Sequence, residues 1–330
     1  MSELKKVALI GCGYWGKNLC RNFHALGALS CVVDSTDSGR KTAMQLAPGV
    51  PLYSSLDDVL GDPDVDAVAL ATPAETHSDL AMRAMQGGKD VFVEKPMALT
   101  VEDAEKMVKM AETESKILMV GHLLEYHPAV LKLRELISAG QLGRVNYIYS
   151  NRLNFGKVRT EENALWSFAP HDVAVILRLM GESPIEASAT GGSYLTEGLA
   201  DVTVSNLRFA NESRAHIFVS WLHPFKEQRL VVVGDRQMAI FNDVAPYGEK
   251  LRVYPNSVEF EGKFPILKKE DAKFVDHANT EPLLEECRHF LQCVASRVQP
   301  LTDATSGREV LKVLHACQSS IDRNGIPMKI

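Results

Sequence analysis

The chain has 330 residues, 45% of them hydrophobic and 24% charged, an ordinary globular composition in a chain too long for one core, so two domains are expected. A net charge of −6 argues against nucleic acid as a partner, because neutralising phosphates needs a basic face. The six cysteines form no C-x-x-C pair, which excludes a dense disulfide scaffold and points to a reduced, cytoplasmic protein. The apolar run at 7–10 is too short for a signal segment, and no stretch approaches the ~20 apolar residues that span a bilayer.

In chain order, short apolar runs alternate with helical patterns: "VALIG" (7–11), "LSCVVDS" (29–35), "VDAVALAT" (65–72), "DVFVEKP" (90–96) and "KILMVGH" (116–122). Such runs read as buried parallel strands, with amphipathic helices between them. The first helix carries Leu19, Phe23 and Leu26 on one face. Thr72 and Glu75 have the spacing of a capping box ahead of "HSDLAMRAM", which closes at Gly87 and Gly88. Thr100 opens the next helix, with Ala104, Met107, Val108 and Ala111 inward. The first 122 residues therefore read as a doubly wound parallel sheet. Pro128 opens a helix bearing Val130, Leu133 and Ile137, and from about 145 to 255 strand-like segments follow one another with turns between them. Consecutive strands predict a large, open, mostly antiparallel sheet in an α+β domain over 123–330. One helix, "PHDVAVILRLMG", interrupts them, and helices at 283–297 and 307–322 finish the chain.

The first strand runs straight into "GCGYWG", a G-x-G-x-x-G motif that opens a helix, and the second strand ends in Asp34, 18 residues after Gly16. In a dinucleotide-binding Rossmann domain Gly11 makes the tight turn, Gly13 admits the pyrophosphate and Gly16 lets the helix pack closely. The helix N-terminus then stabilises the phosphate charge. Tyr14 and Trp15, inside the motif, are counted with it as cofactor-binding. Asp34 would accept the adenosine ribose hydroxyls and repel a 2′-phosphate, favouring NAD over NADP. Arg40 and Lys41 leave that preference open to test. "FVEKPM" places Glu94 and Lys95 at the carboxyl end of a parallel strand, the edge where open α/β sheets bind ligands.

"TPAETHSDLAMRAM", "GGKDVFVEKPMALT" and the glycine motif together resemble the glucose-fructose oxidoreductase, inositol dehydrogenase and MocA family, and the similarity runs over essentially the whole chain. The resemblance implies that Lys95 lies beside the nicotinamide and the reacting hydroxyl, and that Thr72, Pro73 and His77 line the cofactor. It also assigns a catalytic role to His171, which the residue pattern places with Asp172 in the first turn of a helix whose positive end favours a neutral imidazole. Two positions depart from the family pattern. Ser167 stands where many members have an Asp four residues before this His, and Glu125 replaces a basic residue. Lys95 and His171 are thus left to carry the proton chemistry.

The segment 150–166, "SNRLNFGKVRTEENALW", reads as a polar loop in which Arg152, Lys157 and Arg159 could neutralise a diphosphate while Asn154 and Asn163 bind hydroxyl or acetamido groups. The alternative is an exposed loop salt-bridged to Glu161 and Glu162. Trp166 and His171 complete the candidate substrate set. This segment is most similar to family members that oxidise C3 of a UDP-linked N-acetylhexosamine ahead of 3-amination, in lipopolysaccharide or lipid A sugar synthesis. A free polyol of the inositol type or a dTDP-sugar is the alternative substrate, and a non-catalytic NAD or sugar sensor the alternative class. Retention of Lys95 and His171 speaks against the sensor. No metal is expected, since His289 and Cys293 lack a second ligand pair. A homo-oligomer, dimer or tetramer, formed through the second domain's sheet is expected.

Overall fold

The computed structural model describes residues 4–330 and divides into two compact units. The first holds the residues up to Tyr126 together with Thr280–Leu311, and the second holds His127–Asn279 with Lys312–Ile330.

In the first unit the chain runs β1 (Val7–Ile10), α1 (Gly16–Ala25), β2 (Leu29–Val33), α2 (Asp37–Leu46), β3 (Leu52–Tyr53), α3 (Asp57–Leu60), β4 (Ala67–Leu70), α4 (His77–Gln86), β5 (Asp90–Glu94), α5 (Val101–Thr113) and β6 (Leu118–Gly121). The sheet order is β3-β2-β1-β4-β5-β6, every pair parallel. This is the doubly wound sheet read from the sequence. Every residue of β1, β4, β5 and β6 is buried, as strands covered on both faces require. Thr100 caps α5 as expected, its hydroxyl accepting the Asp103 N–H at 3.1 Å. Thr72 does not cap α4. Its hydroxyl pairs with Thr76 Oγ1 at 2.7 Å, and a short 3₁₀ turn over Ala74–Thr76 leads into the helix instead.

The second unit contains α6 (Pro128–Ser138), β7 (Val145–Phe155), α7 (Ala164–Met180), β8 (Glu186–Gly192), β9 (Val202–Arg208), β10 (Arg214–Ser220), β11 (Leu222–Gly234), β12 (Met238–Asn242), β13 (Leu251–Tyr254), β14 (Ser257–Glu261), β15 (Phe264–Lys268) and β16 (Lys273–Phe274). After them come α8 (Pro282–Ser296), α9 (Ala304–Asp322) and β17 (Met328–Lys329). The large sheet has nine strands in the order β16-β13-β12-β11-β7-β10-β9-β8-β17. Only β7 and β10 pair parallel within it, so the expectation of a mostly antiparallel sheet holds. α7 packs on β7, β9 and β10, and β9 alternates buried with exposed positions along its length, the pattern of a sheet covered on one face.

The chain does not divide once, at 122/123. After the nine-stranded sheet it returns to the first unit through α8, whose Phe290 packs edge-on against Phe92 of β5 at 5.7 Å and Phe23 of α1 at 6.4 Å. Three buried rings with offset edges supply apolar contact beyond their area alone, which is why this late helix belongs to the early core.

Candidate functional sites

The glycine turn follows β1. Gly11 has φ +89°, and a side chain there would come within 2.8 Å of the Ala71 carbonyl. A Cβ on Gly16 would sit 2.1 Å from the Gly11 carbonyl oxygen. Both positions therefore exclude any other residue. Gly13 differs, since nothing lies within 4 Å of where its Cβ would be. The turn is closed at its two structural glycines and open at the one expected to meet pyrophosphate, with the α1 N-terminus behind it. That combination fits a dinucleotide.

Asp34 is buried and works within the turn: Oδ2 accepts the Cys12 N–H at 2.7 Å, and Oδ1 accepts the Thr36 N–H at 2.8 Å and the Thr36 hydroxyl at 2.7 Å. Burial opposes its charge, but these donors and the nearby Arg40 outweigh burial and hold the carboxyl below its usual range. A fixed anion thus stands at the end of β2. Arg40 donates to the Asp34 carbonyl oxygen at 2.5 Å and pairs with Asp37.

Trp15, in the turn, donates its indole N–H to Glu94 at the end of β5. Glu94 also accepts the backbone N–H of Lys95 at 3.3 Å, and burial pushes its carboxyl up to about 7 against the pull of Trp15 and Lys95. The Lys95–Pro96 peptide is cis. The ring of His77 lies between two backbone carbonyls, with Nδ1 2.8 Å from Pro96 O and Nε2 2.9 Å from Thr72 O. Glu286 of α8 was not singled out from the sequence. It is wholly buried in this unit, neither carboxyl oxygen has a hydrogen-bond partner, and burial with the fields of Glu94 and Glu125 drives its pKa well up. A signal existed: Glu286 lies three residues after Leu283, on the same stripe as Cys287, Phe290 and Val294.

In the second unit three expectations change. Arg152 and Asn154 are residues of β7, so the loop shrinks to 156–163. α7 begins at Ala164 rather than at Pro170, because Asn163 caps it, its side chain accepting the Trp166 N–H at 3.2 Å. His171 and Asp172 consequently sit two turns inside the helix, and the end-of-helix argument for a neutral imidazole does not apply. Pro170 lies in the interior of α7, beyond the first turn where proline is tolerated, and it lacks the N–H that would bond the Trp166 carbonyl there. Arg152, read as a diphosphate contact, has a side chain only 12% exposed and is bidentate on the buried Asp172, through Nε to Oδ2 at 2.7 Å and Nη2 to Oδ1 at 3.2 Å. Burial would lower its pKa, but the Asp172 charge reverses that and keeps the guanidinium firmly protonated. Ser150 adds a 2.6 Å hydrogen bond to Asp172.

Arg159 pairs with Glu162 at 3.1 Å and donates to Ser167 Oγ at 3.0 Å, so part of the internal salt-bridge alternative is present. Trp166 donates to Gln318 Oε1 at 3.1 Å and Asn163 to the same oxygen at 2.8 Å. Lys157 is exposed on the shortened loop. Among the described residues no group of three or more His, Cys, Asp or Glu could hold a metal, and no helix is long and apolar enough to cross a membrane. His289 accepts the Leu301 N–H at 2.9 Å.

A parallel sheet in the order 3-2-1-4-5-6, a glycine turn open only at its middle glycine and an E-K-P turn at the ligand edge define a dinucleotide-binding oxidoreductase. The models of the glucose-fructose oxidoreductase, inositol dehydrogenase and MocA family match residues 5–122, described as an oxidoreductase family with an NAD-binding Rossmann fold, and residues 130–240, described as its C-terminal domain. The chain belongs to this family, and it is an oxidoreductase.

It is 28% identical over 313 residues to a UDP-N-acetylglucosamine 3-dehydrogenase of Acidithiobacillus ferrooxidans, covering 93% of this chain and 94% of that one. A solved structure of that dehydrogenase superposes with a TM-score of 0.85 at 26% identity, covering 96% and 97% of the two chains. A scyllo-inositol 2-dehydrogenase (NAD(+)) of Bacillus subtilis is 24% identical, covering 100% of this chain and 97% of that one.

Proposed function

We propose that the chain oxidises the C3 hydroxyl of a nucleotide-linked N-acetylhexosamine with NAD, giving a 3-keto sugar suited to later amination. The observation that carries the NAD part is the glycine turn open at Gly13, with the anionic Asp34 at the end of the next strand. Gly11, Gly13 and Gly16 would admit the pyrophosphate at the α1 N-terminus, and a fixed carboxylate 18 residues on disfavours a 2′-phosphate. The nicotinamide, when bound, supplies the two-electron acceptor. Thr72 and Pro73 belong to the loop that would flank it. Lys95 and His171 are assigned the proton chemistry, one accepting the hydroxyl proton and the other hydrogen-bonding the developing alkoxide. The nucleotide-sugar part is supported by near full-length similarity to the UDP-N-acetylglucosamine 3-dehydrogenase.

A second reading, oxidation of a free polyol, has an observation in its favour: Arg152 and Arg159 are paired inside the second unit rather than left for a diphosphate. Lys157, Asn154 and Trp166 remain the candidate contacts of either substrate. We further propose a cytoplasmic homo-oligomer assembled through the half-exposed face of the nine-stranded sheet, where Tyr149 stacks on His216.

A panel of UDP-sugars, dTDP-sugars and inositols with NAD, followed at the reduced-nicotinamide absorbance band, tests the reading. Turnover of UDP-N-acetylglucosamine with a 3-keto product is expected. Turnover of inositol alone transfers the function to the second reading, and NAD binding with no turnover on any member makes the chain a sensor.

A further inference from the structure

We propose that His77 is a positioning residue that holds the loop after β4 and the E-K-P turn in one register, with one ring nitrogen serving each. The ring is 1% exposed, and its two nitrogens lie 2.8 Å from the Pro96 carbonyl oxygen and 2.9 Å from that of Thr72. One of these partners is 19 residues away in the chain and the other five. The family resemblance placed His77 against the cofactor, but both polar atoms of its side chain are spent on protein backbone. Both partners only accept, so the ring serves them at once as the imidazolium, which carries an N–H on each nitrogen. A buried carbonyl that loses its donor bears a desolvation cost, so each contact fixes the segment it touches: Thr72 on the side of the glycine turn, and Pro96 immediately after Lys95. The Thr72 segment has a second tie, from Thr76 Oγ1 to the Pro73 carbonyl at 2.7 Å. Burial is the largest influence on the ring and opposes the charged imidazolium form, as Lys95 does, while the Pro96 and Thr72 carbonyls and Glu75 favour it.

The inference rests on the oxidoreductase reading above for its turnover readout and is independent of it for cofactor binding. The two amide variants separate the contacts. His77→Asn can place its NH₂ near the Nδ1 position, toward Pro96, and His77→Gln can place its NH₂ near the Nε2 position, toward Thr72. His77→Asn should keep kcat within about threefold of wild type while NAD affinity falls about tenfold, the scale of one buried hydrogen bond. His77→Gln should do the reverse, keeping NAD affinity and losing about tenfold in kcat. His77→Leu should lose both. NAD affinity is read by fluorescence titration and kcat on whichever substrate wild type turns over.

Asn and Gln variants that lose kcat and NAD affinity together, in step with their melting temperatures, would reduce His77 to a structural role and overturn the proposal, and so would two variants that keep both. Absence of turnover by the wild type sinks the proposed activity instead. The NAD titration then decides the Thr72 half alone, a His77→Gln affinity as poor as that of His77→Leu overturning it.

Discussion

Each unit buries a carboxylate next in sequence to the residue assigned its proton chemistry, and the two are treated in opposite ways. Asp172 follows His171 and is met by Ser150 and by both arms of Arg152. Glu94 precedes Lys95, accepts the Trp15 indole N–H and the Lys95 backbone N–H, and is driven up to about 7 by burial. Behind it lies Glu286, a second buried acid with no hydrogen-bond partner of its own. A buried charge persists when a matched counter-ion compensates its lost hydration, and otherwise gives way to the neutral form. Asp172 thus fixes α7, its own helix, to β7, whereas Glu94 is a group that titrates near neutral pH and ties the glycine turn to the E-K-P strand end.

The largest effect should come from the two neighbours themselves. Lys95→Ala and His171→Asn should each lower kcat by about 10²- to 10⁴-fold, the range of a positioned acid or base, while NAD still binds. Residues acting as a unit are non-additive, so the double variant should lose less than the product of the two. A His171→Asn enzyme with near-native kcat across neutral pH would leave Lys95 as the base.

The Asp172 side of the comparison breaks if Arg152 is available to substrate. Removing one partner of a buried ion pair costs about 3–5 kcal/mol, because the other charge is left without compensation. Arg152→Met should therefore lower stability by that order in urea unfolding, and adding Asp172→Leu should restore most of it. A stable Arg152→Met protein with a raised KM for a UDP-sugar would return Arg152 to the diphosphate.

What was legible in the sequence follows the same division. The glycine turn, Asp34 and the strand-edge Glu94-Lys95-Pro96 could be read because their tasks are backbone tasks: a positive φ, a close approach, a place at the end of a strand. Spacing encodes those directly. The charges of 150–166 could not be read the same way, since whether Arg152 faces a ligand or an aspartate depends on α7 lying over β7. The start of α7 was misplaced because Pro170 resembles a helix start, whereas the Asn163 cap lies inside what reads as a loop. The return of α8 to the first unit left only a faint mark, the acid at 286 on an otherwise apolar stripe.

The smallest predicted effect is the one specific to Glu94. In the folded chain this carboxyl keeps its proton up to about 7, whereas an ordinary glutamate releases it near 4.5. Between those values the folded state binds more protons than the unfolded state. The stability it contributes is therefore complete below pH 4.5 and is lost as pH rises to 7. Glu94→Gln keeps a carbonyl acceptor for the Trp15 N–H but cannot ionise. The variant should match wild type near pH 4.5 and gain on it through pH 7, to about 3 kcal/mol at pH 8. Urea unfolding of both proteins at half-unit pH steps measures the difference, and subtraction removes the titrating groups that Glu94 does not act on, leaving Glu94 together with its effect on Glu286. Parallel curves would mean that Glu94 titrates in the folded chain as an ordinary glutamate does, and the contrast between the two buried carboxylates would be lost.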